Sequence, residues 1–353
     1  MKKKNIYTLI IILISLITLV FVYNDDYIYK TDIMKIKEIT TEKINISENS
    51  LGLKEKNYHK LIKGIITNGK NKGQIKIIKY EESYSSVITD RYKKNDKVFI
   101  KNNNIEGLKR DVYVTFVITL FITFIFIVGD NKGLLSVLSV FLNIIIFYVG
   151  LSLYFKGINI LFLCIIESIL FTIISMIISE GLNKKTISAI ISVMSSIIIM
   201  LFMLLLIIKT TNYKGINFNE LSFLTVPVTD IILPELLIGS LGAIMDIAIT
   251  ISSSISELIN KNKKITVKAL NKSSKQIGKD VMSTMTNVLF FTYLCSGLPI
   301  FVLAVRNGFT IYNYITTNFS LELTRFLVGS IGIIITIPIT TFITIKVFKR
   351  GAK

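Results

Sequence analysis

Cysteine and histidine are almost absent from this chain of 353 residues, which contains two cysteines and one histidine. Cys164 and Cys295 both lie within apolar runs, where cysteine acts as a small hydrophobic residue, so neither a disulfide framework nor a thiolate metal site is expected. His59 alone leaves a metal ion with almost no nitrogen ligands. We therefore expect the protein to bind no metal and no cofactor.

Sequence signatures of catalysis are missing as well. The chain has no Gly-x-x-x-x-Gly-Lys-Ser/Thr loop to hold the phosphates of ATP, and no serine and histidine share an apolar run. An intramembrane aspartyl protease needs two carboxylates and a Gly-x-Gly-Asp turn, but Gly242-Ala243-Ile244-Met245 precedes Asp246. We therefore expect a protein that is not an enzyme.

Long apolar runs are what the chain has in abundance, since 51% of its residues are hydrophobic. A tilted helix needs about 17 to 25 residues to cross a bilayer, and eight runs have that length. The runs are Ile6–Tyr23, Val112–Val128, Leu134–Leu153, Ile158–Ile178, Ile187–Ile208, Leu233–Ile255, Thr284–Val305 and Phe326–Val347. We predict a mainly α fold, a polytopic bundle of about eight transmembrane helices, seven of them within residues 111–353. Residues 1–23 are predicted to be a retained signal anchor, because no small-x-small cleavage site follows the first run.

Basic residues outnumber acidic ones and give the chain a net charge of +18. The lysines concentrate in alternate connections between the apolar runs, above all in a basic loop predicted at 256–283, which favours the cytoplasmic side for these connections. We therefore predict a multi-pass protein of the plasma membrane with both termini in the cytoplasm. Because such lysines face anionic lipid, the charge indicates the lipid bilayer as a partner and no nucleic acid.

Residues 24–110 form a stretch long enough for a domain outside the membrane. Short runs typical of β-strands alternate there with polar turns, and no helical period passes through them. These runs are Ile33–Glu38, His59–Thr67, Gln74–Tyr80, Ser86–Thr89 and Lys97–Lys101, while Ser47–Gly52 is predicted to be a loop. We predict a small extracytoplasmic β-rich domain of the SH3 or OB type. Its basic surface either binds an anionic partner, such as a wall polymer or lipid, or is simply solvated.

Asp246 stands in the middle of the run Leu233–Ile255 and is the best lead to function. A carboxylate at the bilayer centre costs about 2.5 to 3.5 kcal/mol, whereas each Leu or Ile returns only about 0.3 to 0.6 kcal/mol. Because of this cost, we predict that Asp246 faces other helices or a wet cavity and contacts either the seventh run near Thr286 or Asn287 or a polar group on another helix. Asp246 either handles an ion or substrate or is a structural carboxylate.

Small and polar residues share the helix face of Asp246 at spacings of three and four, which permits close packing of helices. The residues predicted to pack against other helices are Gly239, Gly242, Ala243 and Ser253.

Three further polar residues in apolar runs are candidates for an ion or substrate site. Glu235 lies near the start of the same run as Asp246, and Glu167 lies near the midpoint of Ile158–Ile178. Asn143 lies near the middle of the run Leu134–Leu153. It is either a hydrogen-bond partner for one of the acids or an ordinary amide that hydrogen-bonds between packed helices.

Several segments resemble a known family. The segments Pro234–Ala248 and Gly278–Asn287 are similar to the signature of the YibE/F-like family of bacterial membrane proteins. Ser179–Thr186, Lys132–Ser136 and the strand-turn residues Thr67-Asn68-Gly69 resemble further parts of that family. Lys279 and Ser283 stand where the family usually has arginine and glycine. The resemblance covers nearly the whole chain and implies a permease-like membrane protein without naming its substrate.

Two functions are compatible with these patterns. The first is a secondary transporter of a small solute or ion, with Asp246 as a proton or cation site and Glu167 as a second carboxylate. The second is a non-transporting membrane scaffold or assembly factor, whose extracytoplasmic domain binds a partner while the polar helix face only joins helices. A water-sized polar cavity at Asp246 would favour the first.

Overall fold

The computed structural model describes residues 2–48, 52, 54–86, 89–211, 217–218, 227 and 229–350. The chain divides into two compact units, Met1–Leu134 and Leu135–Lys353. The first unit contains helices and a small antiparallel sheet, and the described part of the second unit is helical apart from its connections. The predicted fold class, a helical bundle with a small β-rich domain, is therefore confirmed.

The first unit begins with helix α1, Lys2–Tyr23, which is followed by a 3₁₀ turn. Five strands come next: β1 (Asp32–Glu48), β2 (Lys54–Ile66), β3 (Ile75–Ser83), β4 (Lys97–Lys101) and β5 (Asn104–Leu108). They form one antiparallel sheet in the order β3-β2-β1-β4-β5, and the two edge strands, β3 and β5, contact each other. Contact between the edges of a sheet is typical of a partly closed barrel.

The strands differ from their predicted bounds, and β1 and β2 in particular are longer than the predicted Ile33–Glu38 and His59–Thr67. Strand β5 was not predicted, because its sequence carries too few apolar residues to show a period. Ser86 follows a turn, which its N–H closes by donating to the carbonyl of Ser83, and Thr89 lies in a bend. The rest of the predicted strand Ser86–Thr89 lies outside the described residues. Ser47 and Glu48, predicted to lie in a loop, continue β1 instead, and residues 49–51 are outside the description.

Asn68, in the turn after β2, fixes the start of the sheet although it is buried. Its side-chain amide donates to the carbonyls of Tyr29 and Thr31, and its Oδ1 accepts from the backbone N–H of Ile33. Because all these groups are away from solvent, an apolar residue at position 68 would leave them without partners. The strand-turn motif at Thr67-Asn68-Gly69 therefore holds the chain that enters β1.

Lys109, directly after β5, joins the sheet to two helices of the first unit. Its ammonium Nζ lies 2.5 Å from Asp25 Oδ1 and 3.0 Å from Asp111 Oδ2, at the start of the helix that follows the sheet. It also donates to the carbonyl of Val22 in α1, at 3.1 Å. Burial alone would lower the pKa of Lys109, but its hydrogen bonds to Asp25 and Asp111 outweigh burial and raise the pKa above 10.5. Lys109 is therefore a buried, charged residue that connects the sheet to α1 and to the start of the next helix.

Helix α2 continues without a break from Asp111 to Tyr154. At about 1.5 Å per residue it is about 66 Å long, which is about twice the thickness of a hydrocarbon core. The two predicted spans Val112–Val128 and Leu134–Leu153 are therefore parts of one helix. Hydropathy still separates that helix into the candidate spans Asp111–Gly129 and Lys132–Tyr154.

The later helices are α3 (Ile160–Glu180), α4 (Lys184–Thr211), α5 (Thr229–Lys261), α6 (Val267–Arg306), α7 (Ile311–Tyr314) and α8 (Ser320–Arg350). A π turn, Ile315–Phe319, connects α7 to α8. The segment 256–283, predicted to be a basic loop, is helical except at 262–266, because α5 extends to Lys261 and α6 begins at Val267. Seven described segments have the length and hydropathy to cross a membrane, and the protein is a multi-pass membrane protein. In α1, the described apolar part is the shorter segment Leu9–Tyr23.

The core of the second unit lies where α4, α5 and α8 meet. Leu236, Leu237 and Ile244 of α5 are almost fully buried, and Ile244 packs with Met200 of α4. Gly332 of α8 permits this contact, because an added Cβ would lie 2.8 Å from the sulfur of Met200. Small residues let helix backbones approach closely in membranes, where lipid offers no hydrophobic drive for association.

Candidate functional site

Helix α5 has one buried side and one open side. Its buried side carries large apolar residues at helical spacing, among them Leu237, Ile244 and Ile251, and packs against neighbouring helices. Its open side carries acids and small residues. We call this side the acidic face of α5 and define it by Glu235, Gly239, Gly242, Asp246, Thr250, Ser253 and Glu257.

The three acids of this face are evenly spaced. Glu235, Asp246 and Glu257 follow one another at intervals of about eleven residues, which is close to three whole turns, so each lies about 20° from the preceding one. They are about 16 Å apart along the axis and span about 33 Å in all, close to the 30 Å of a hydrocarbon core. One unbroken helix therefore carries a carboxylate at each end and one in the middle of a membrane-sized length.

Asp246 was predicted to face other helices or a wet cavity, but it lies on the open side of α5. It is exposed on the surface of the chain, and among the residues that the structure describes none forms a hydrogen bond or ion pair with it. The predicted contact with Thr286 or Asn287 is therefore not a hydrogen bond. The reason is geometric: the neighbours of α5 pack against its apolar sides, where Met245 and Ile247 belong to different core clusters. Asp246 lies on the side between those two clusters.

Glu235, at one end of the acidic face, belongs to a cluster of buried charges. Arg325 of α8 donates from Nη2 to Glu235 Oε2 at 2.5 Å and from Nη1 to Glu322 Oε1 at 2.6 Å. The side chains of Arg325 and Glu322 are each 8% exposed, whereas that of Glu235 is 40% exposed. Two carboxylates share one guanidinium, so the cluster has one negative charge in excess when all three groups are ionised.

Two buried polar atoms of this cluster have no hydrogen-bond partner among the described residues. They are Oε2 of Glu322 and Nε of Arg325. A buried polar group that lacks a partner costs free energy unless water, an ion or a proton satisfies it. The cluster therefore leaves one carboxylate oxygen and one guanidinium nitrogen for a partner that the described residues do not supply.

The small residues of the acidic face have different surroundings. The hydroxyl of Tyr293 in α6 lies where a Cβ on Gly239 would be, at 2.4 Å from that Cβ position, so α5 and α6 are close there. Ala243 packs against the cluster formed by α5, α6 and α8, and Ser253 is half-buried. Gly242 differs from its predicted packing role, because an added Cβ would meet no described atom within 4 Å.

Glu167 and Asn143 lie away from the acidic face, at the contact between α2 and α3. Glu167 is buried against Gly150 of α2. Asn143 donates from Nδ2 to Ser175 Oγ at 2.8 Å, and its Oδ1 has no partner among the described residues. Of the two alternatives for Asn143, the hydrogen bond to Ser175 corresponds to packing between helices rather than to a contact with an acid. Glu167 lies at this contact between α2 and α3, apart from Asp246 on α5.

Thr286 and Asn287 lie on α6, where Thr286 is half-buried and Asn287 is exposed. Asn287 borders a shallow depression along α6 that also includes Ser283, Thr284 and Thr292. The hydroxyl groups of Thr284 and Thr292 donate to backbone carbonyls of the preceding turn. The structure therefore brings Glu235 together with Arg325 and Glu322 but leaves Asp246 and Asn287 without mutual hydrogen bonds.

Sequence reasoning missed Arg325 and Glu322 because both stand just before the last apolar run, where charges are ordinary. Their three-residue spacing on one helix face was the available signal. It also missed a hydroxyl cluster in the bundle, in which Ser252 Oγ lies 3.0 Å from Thr344 Oγ1 and 3.4 Å from Ser188 Oγ. Serines and threonines in apolar runs could have indicated such a cluster, but not which of them meet.

Two protein-family models match this chain. The model described as YibE/F-like protein matches residues 117–350, and the model described as YibE/F family N-terminal domain matches residues 27–115. Neither the comparison with curated proteins nor that with solved structures found a match. The first model alone covers more than half of the sequence and includes both the acidic face and the Arg325 cluster. The chain therefore belongs to the YibE/F-like family of membrane proteins.

Proposed function

We propose that the protein is a permease-type secondary transporter in which the acidic face of α5 carries a cation or proton across the membrane. The observation that carries this proposal is the alignment of Glu235, Asp246 and Glu257 on one side of an unbroken helix. A carboxylate is costly in hydrocarbon, so three on one face, separated by small and hydroxyl residues, favour a hydrated path over a lipid-facing surface.

The surroundings of Asp246 support a role as the central site of this path. Gly242 precedes it by about one turn, and an added Cβ there would meet no described atom within 4 Å. Water or a cation therefore has room beside the carboxylate, and hydration relieves most of the cost of its charge. The described residues around it supply no fixed cation, so an incoming ion or proton would be its counter-charge.

The Arg325 cluster would form one gate of the path. Glu235 belongs both to the acidic face and to the cluster, and it is the more accessible of the two acids on Arg325. A cation that approaches Glu235 competes with Arg325 for the carboxylate, which would couple loading to the contact between α5 and α8. The substrate that accompanies the cation would be a small solute.

Orientation follows from charge. We propose that the protein lies in the bacterial plasma membrane with both termini in the cytoplasm and the sheet of the first unit outside, because lysines concentrate in the termini and around 261–279. The open sheet surface would then meet an extracytoplasmic partner. We further propose that the protein is not an enzyme and uses no cofactor, since its sequence lacks the motifs that either would require.

The test is cation flux into proteoliposomes that contain the purified full chain. With a pH-sensitive dye inside to follow protons, or a Na⁺-sensitive dye to follow Na⁺, and a potassium diffusion potential imposed, the wild type should carry one of the two ions. Asp246→Asn should reduce that flux to the level of empty vesicles. Asp280→Asn is the matched control, because Asp280 is an exposed acid of α6 outside the acidic face. Flux in Asp246→Asn equal to the wild type, at equal protein content, would contradict the proposal.

A second function is favoured by one observation, the open space at Gly242. A glycine on a membrane helix with room above it suits the close approach of another transmembrane helix, as an assembly factor or scaffold would require. Gly242→Leu should then break association with that helix, measured by cross-linking in the membrane, while Asp246→Asn leaves association intact. The transport proposal expects the opposite order of sensitivity.

A further inference from the structure

A groove runs between the first half of α6 and the last half of α8. Its volume is about 1050 Å³, and its floor is formed by apolar side chains that include Met282, Ile337 and Phe342. Gly278 lets the two helices approach beside the groove, because an added Cβ would lie 2.6 Å from Ile337 Cγ2. The groove is therefore bounded by two helices in contact and opens on the surface of the bundle.

Among the described residues, four lysines line this groove and no carboxylate does. They are Lys275 and Lys279 of α6 and Lys346 and Lys349 of α8. Lys349 donates to the backbone carbonyl of Ile265 at 3.0 Å, and Lys346 lies 5.5 Å from the ring centre of Phe342.

The charges of the groove are not neutralised within the described chain. Among the described residues, none of Lys275, Lys279 and Lys346 forms an ion pair, and each of the three is exposed. A concentration of uncompensated positive charge beside an apolar floor is complementary to a molecule that has an anionic head and an apolar tail.

We propose that this groove binds one phospholipid with an anionic headgroup. The lysines would hold the phosphate and any further negative group of the head, because basic pockets between transmembrane helices are suited to such headgroups. The acyl chains would lie along Met282, Ile337 and Phe342. The inference does not depend on transport, since it concerns the inner ends of α6 and α8 and not the acidic face of α5.

The apolar floor distinguishes a lipid from a free phosphate. A soluble anion would need only the lysines, and it would leave a groove of this volume and its apolar lining in contact with water or lipid tails. A phospholipid satisfies both parts of the groove, because each methylene that it buries adds to binding. We therefore expect headgroup charge and acyl chain to contribute together.

The experiment uses the full chain in an uncharged detergent. Native mass spectrometry and thermal unfolding are followed while dioleoyl phosphatidylglycerol, dioleoyl phosphatidylcholine or glycerol phosphate is added. We expect tighter binding of phosphatidylglycerol than of phosphatidylcholine. Removing lysines with the triple substitution Lys275→Gln, Lys279→Gln and Lys346→Gln should weaken that binding by about fivefold for each lysine.

A control of equal charge change separates the groove from general attraction. The triple substitution Lys264→Gln, Lys268→Gln and Lys272→Gln removes three exposed lysines of the same region that do not line the groove. It should leave the preference for phosphatidylglycerol unchanged. Ile334 lines the groove and is half-exposed, so Ile334→Trp places bulk in the groove. This substitution should weaken the binding of phosphatidylglycerol without lowering the unfolding temperature of the lipid-free protein.

Three outcomes would overturn the proposal. Equal binding of the two dioleoyl lipids would show that the lysines do not select an anionic head. Equal losses in the two triple variants would assign the effect to general surface charge. Binding of glycerol phosphate as tight as that of phosphatidylglycerol, and indifferent to Ile334→Trp, would assign the groove to a soluble anion.

Discussion

The carboxylate of Glu167 fills the space in which a side chain on Gly150 would have to begin. The two residues belong to α3 and α2, and two turns away Asn143 donates to Ser175 across the same pair of helices. A small residue and a half-buried polar pair thus occupy successive levels of one helix contact. Close approach of this kind is the main source of helix association where lipid surrounds the protein.

Gly150→Ala should therefore destabilise the protein. The added methyl group has to displace Glu167, and overpacking of a buried contact costs about 1 to 3 kcal/mol. Thermal unfolding in detergent would measure the change. Gly129→Ala is the control, because Gly129 is also helical but an added Cβ there meets nothing within 4 Å. A Glu167→Ala background should tolerate Gly150→Ala, and a normal unfolding temperature for Gly150→Ala alone would refute the steric argument.

Arg325→Met should destabilise the contact between α5 and α8. The substitution leaves Glu235 and Glu322 next to each other without their shared cation, and breaking a buried ion pair from one side costs about 3 to 5 kcal/mol. Adding Glu235→Gln and Glu322→Gln should restore much of the loss, because the remaining groups are then neutral.

The control for this series is Arg306→Met, at the exposed end of α6. Its effect on the free energy of unfolding should stay within about 0.5 kcal/mol. The interpretation fails if Arg325→Met and Arg306→Met lower the free energy of unfolding equally. It also fails if the variant that combines Arg325→Met with Glu235→Gln and Glu322→Gln is no more stable than Arg325→Met alone.

The charged contact between α1 and the sheet should lose stability in acid through Asp26, whose carboxylate lies 2.8 Å from Lys97 Nζ and 3.3 Å from Lys109 Nζ. Burial alone would raise the pKa of Asp26, but hydrogen bonds from Lys97 and Thr67 outweigh burial and hold the pKa below 3.8. A lowered pKa in the folded state gives stabilisation that is complete above the unfolded value of 3.8 and is lost as pH falls through the folded pKa.

The measurement is the difference in unfolding temperature between wild type and Asp26→Asn as pH is varied. The difference should be constant near neutral pH and should shrink only below pH 3.8. Lys109 has the opposite sign: its raised pKa gives stabilisation that is complete below 10.5 and is lost as pH rises through the folded value. A difference for Asp26→Asn that already disappears at pH 5 to 6 would contradict the lowered pKa.

Membrane orientation can be tested with single cysteines in a variant that lacks Cys164 and Cys295. An impermeant thiol reagent applied to sealed cells should label Lys70→Cys and Asn217→Cys but not Asn271→Cys. Lys70 is preferable to Gly69, because Gly69 has a φ of +69° and an added Cβ would lie 2.9 Å from Asp32 Oδ1. Labelling of Asn271→Cys in intact cells would reverse the proposed orientation.

The helices could be predicted from sequence because each is long, apolar and therefore visible in hydropathy alone. The same reasoning failed at 256–283, since lysines mark a connection but Ala269, Leu270 and Ile277 among them continue a helix. It also treated α2 as two helices, because polar residues near Gly129 interrupt hydropathy without interrupting the backbone hydrogen bonds. Hydropathy reports on lipid contact and not on helix continuity.

The acidic face illustrates a different limit. The spacing of Gly239, Asp246 and Ser253 was enough to place these residues on one side of a helix. It could not reveal which sides the neighbours of α5 cover, because that depends on contacts between residues far apart in sequence. The pairing of Glu235 with Arg325 is such a contact, since 90 positions separate the two residues. Periodicity fixes directions on one helix, whereas partners are set by tertiary packing.

The joint around Lys109 has a mechanical consequence. Lys97 donates to the carbonyl of Tyr23 and Lys109 to that of Val22, so the last turn of α1 is fastened to the sheet at two points. Asp111 fastens the first turn of α2 to the same lysine. A load applied to the sheet would therefore reach α1 through both lysines and the first turn of α2 through Lys109.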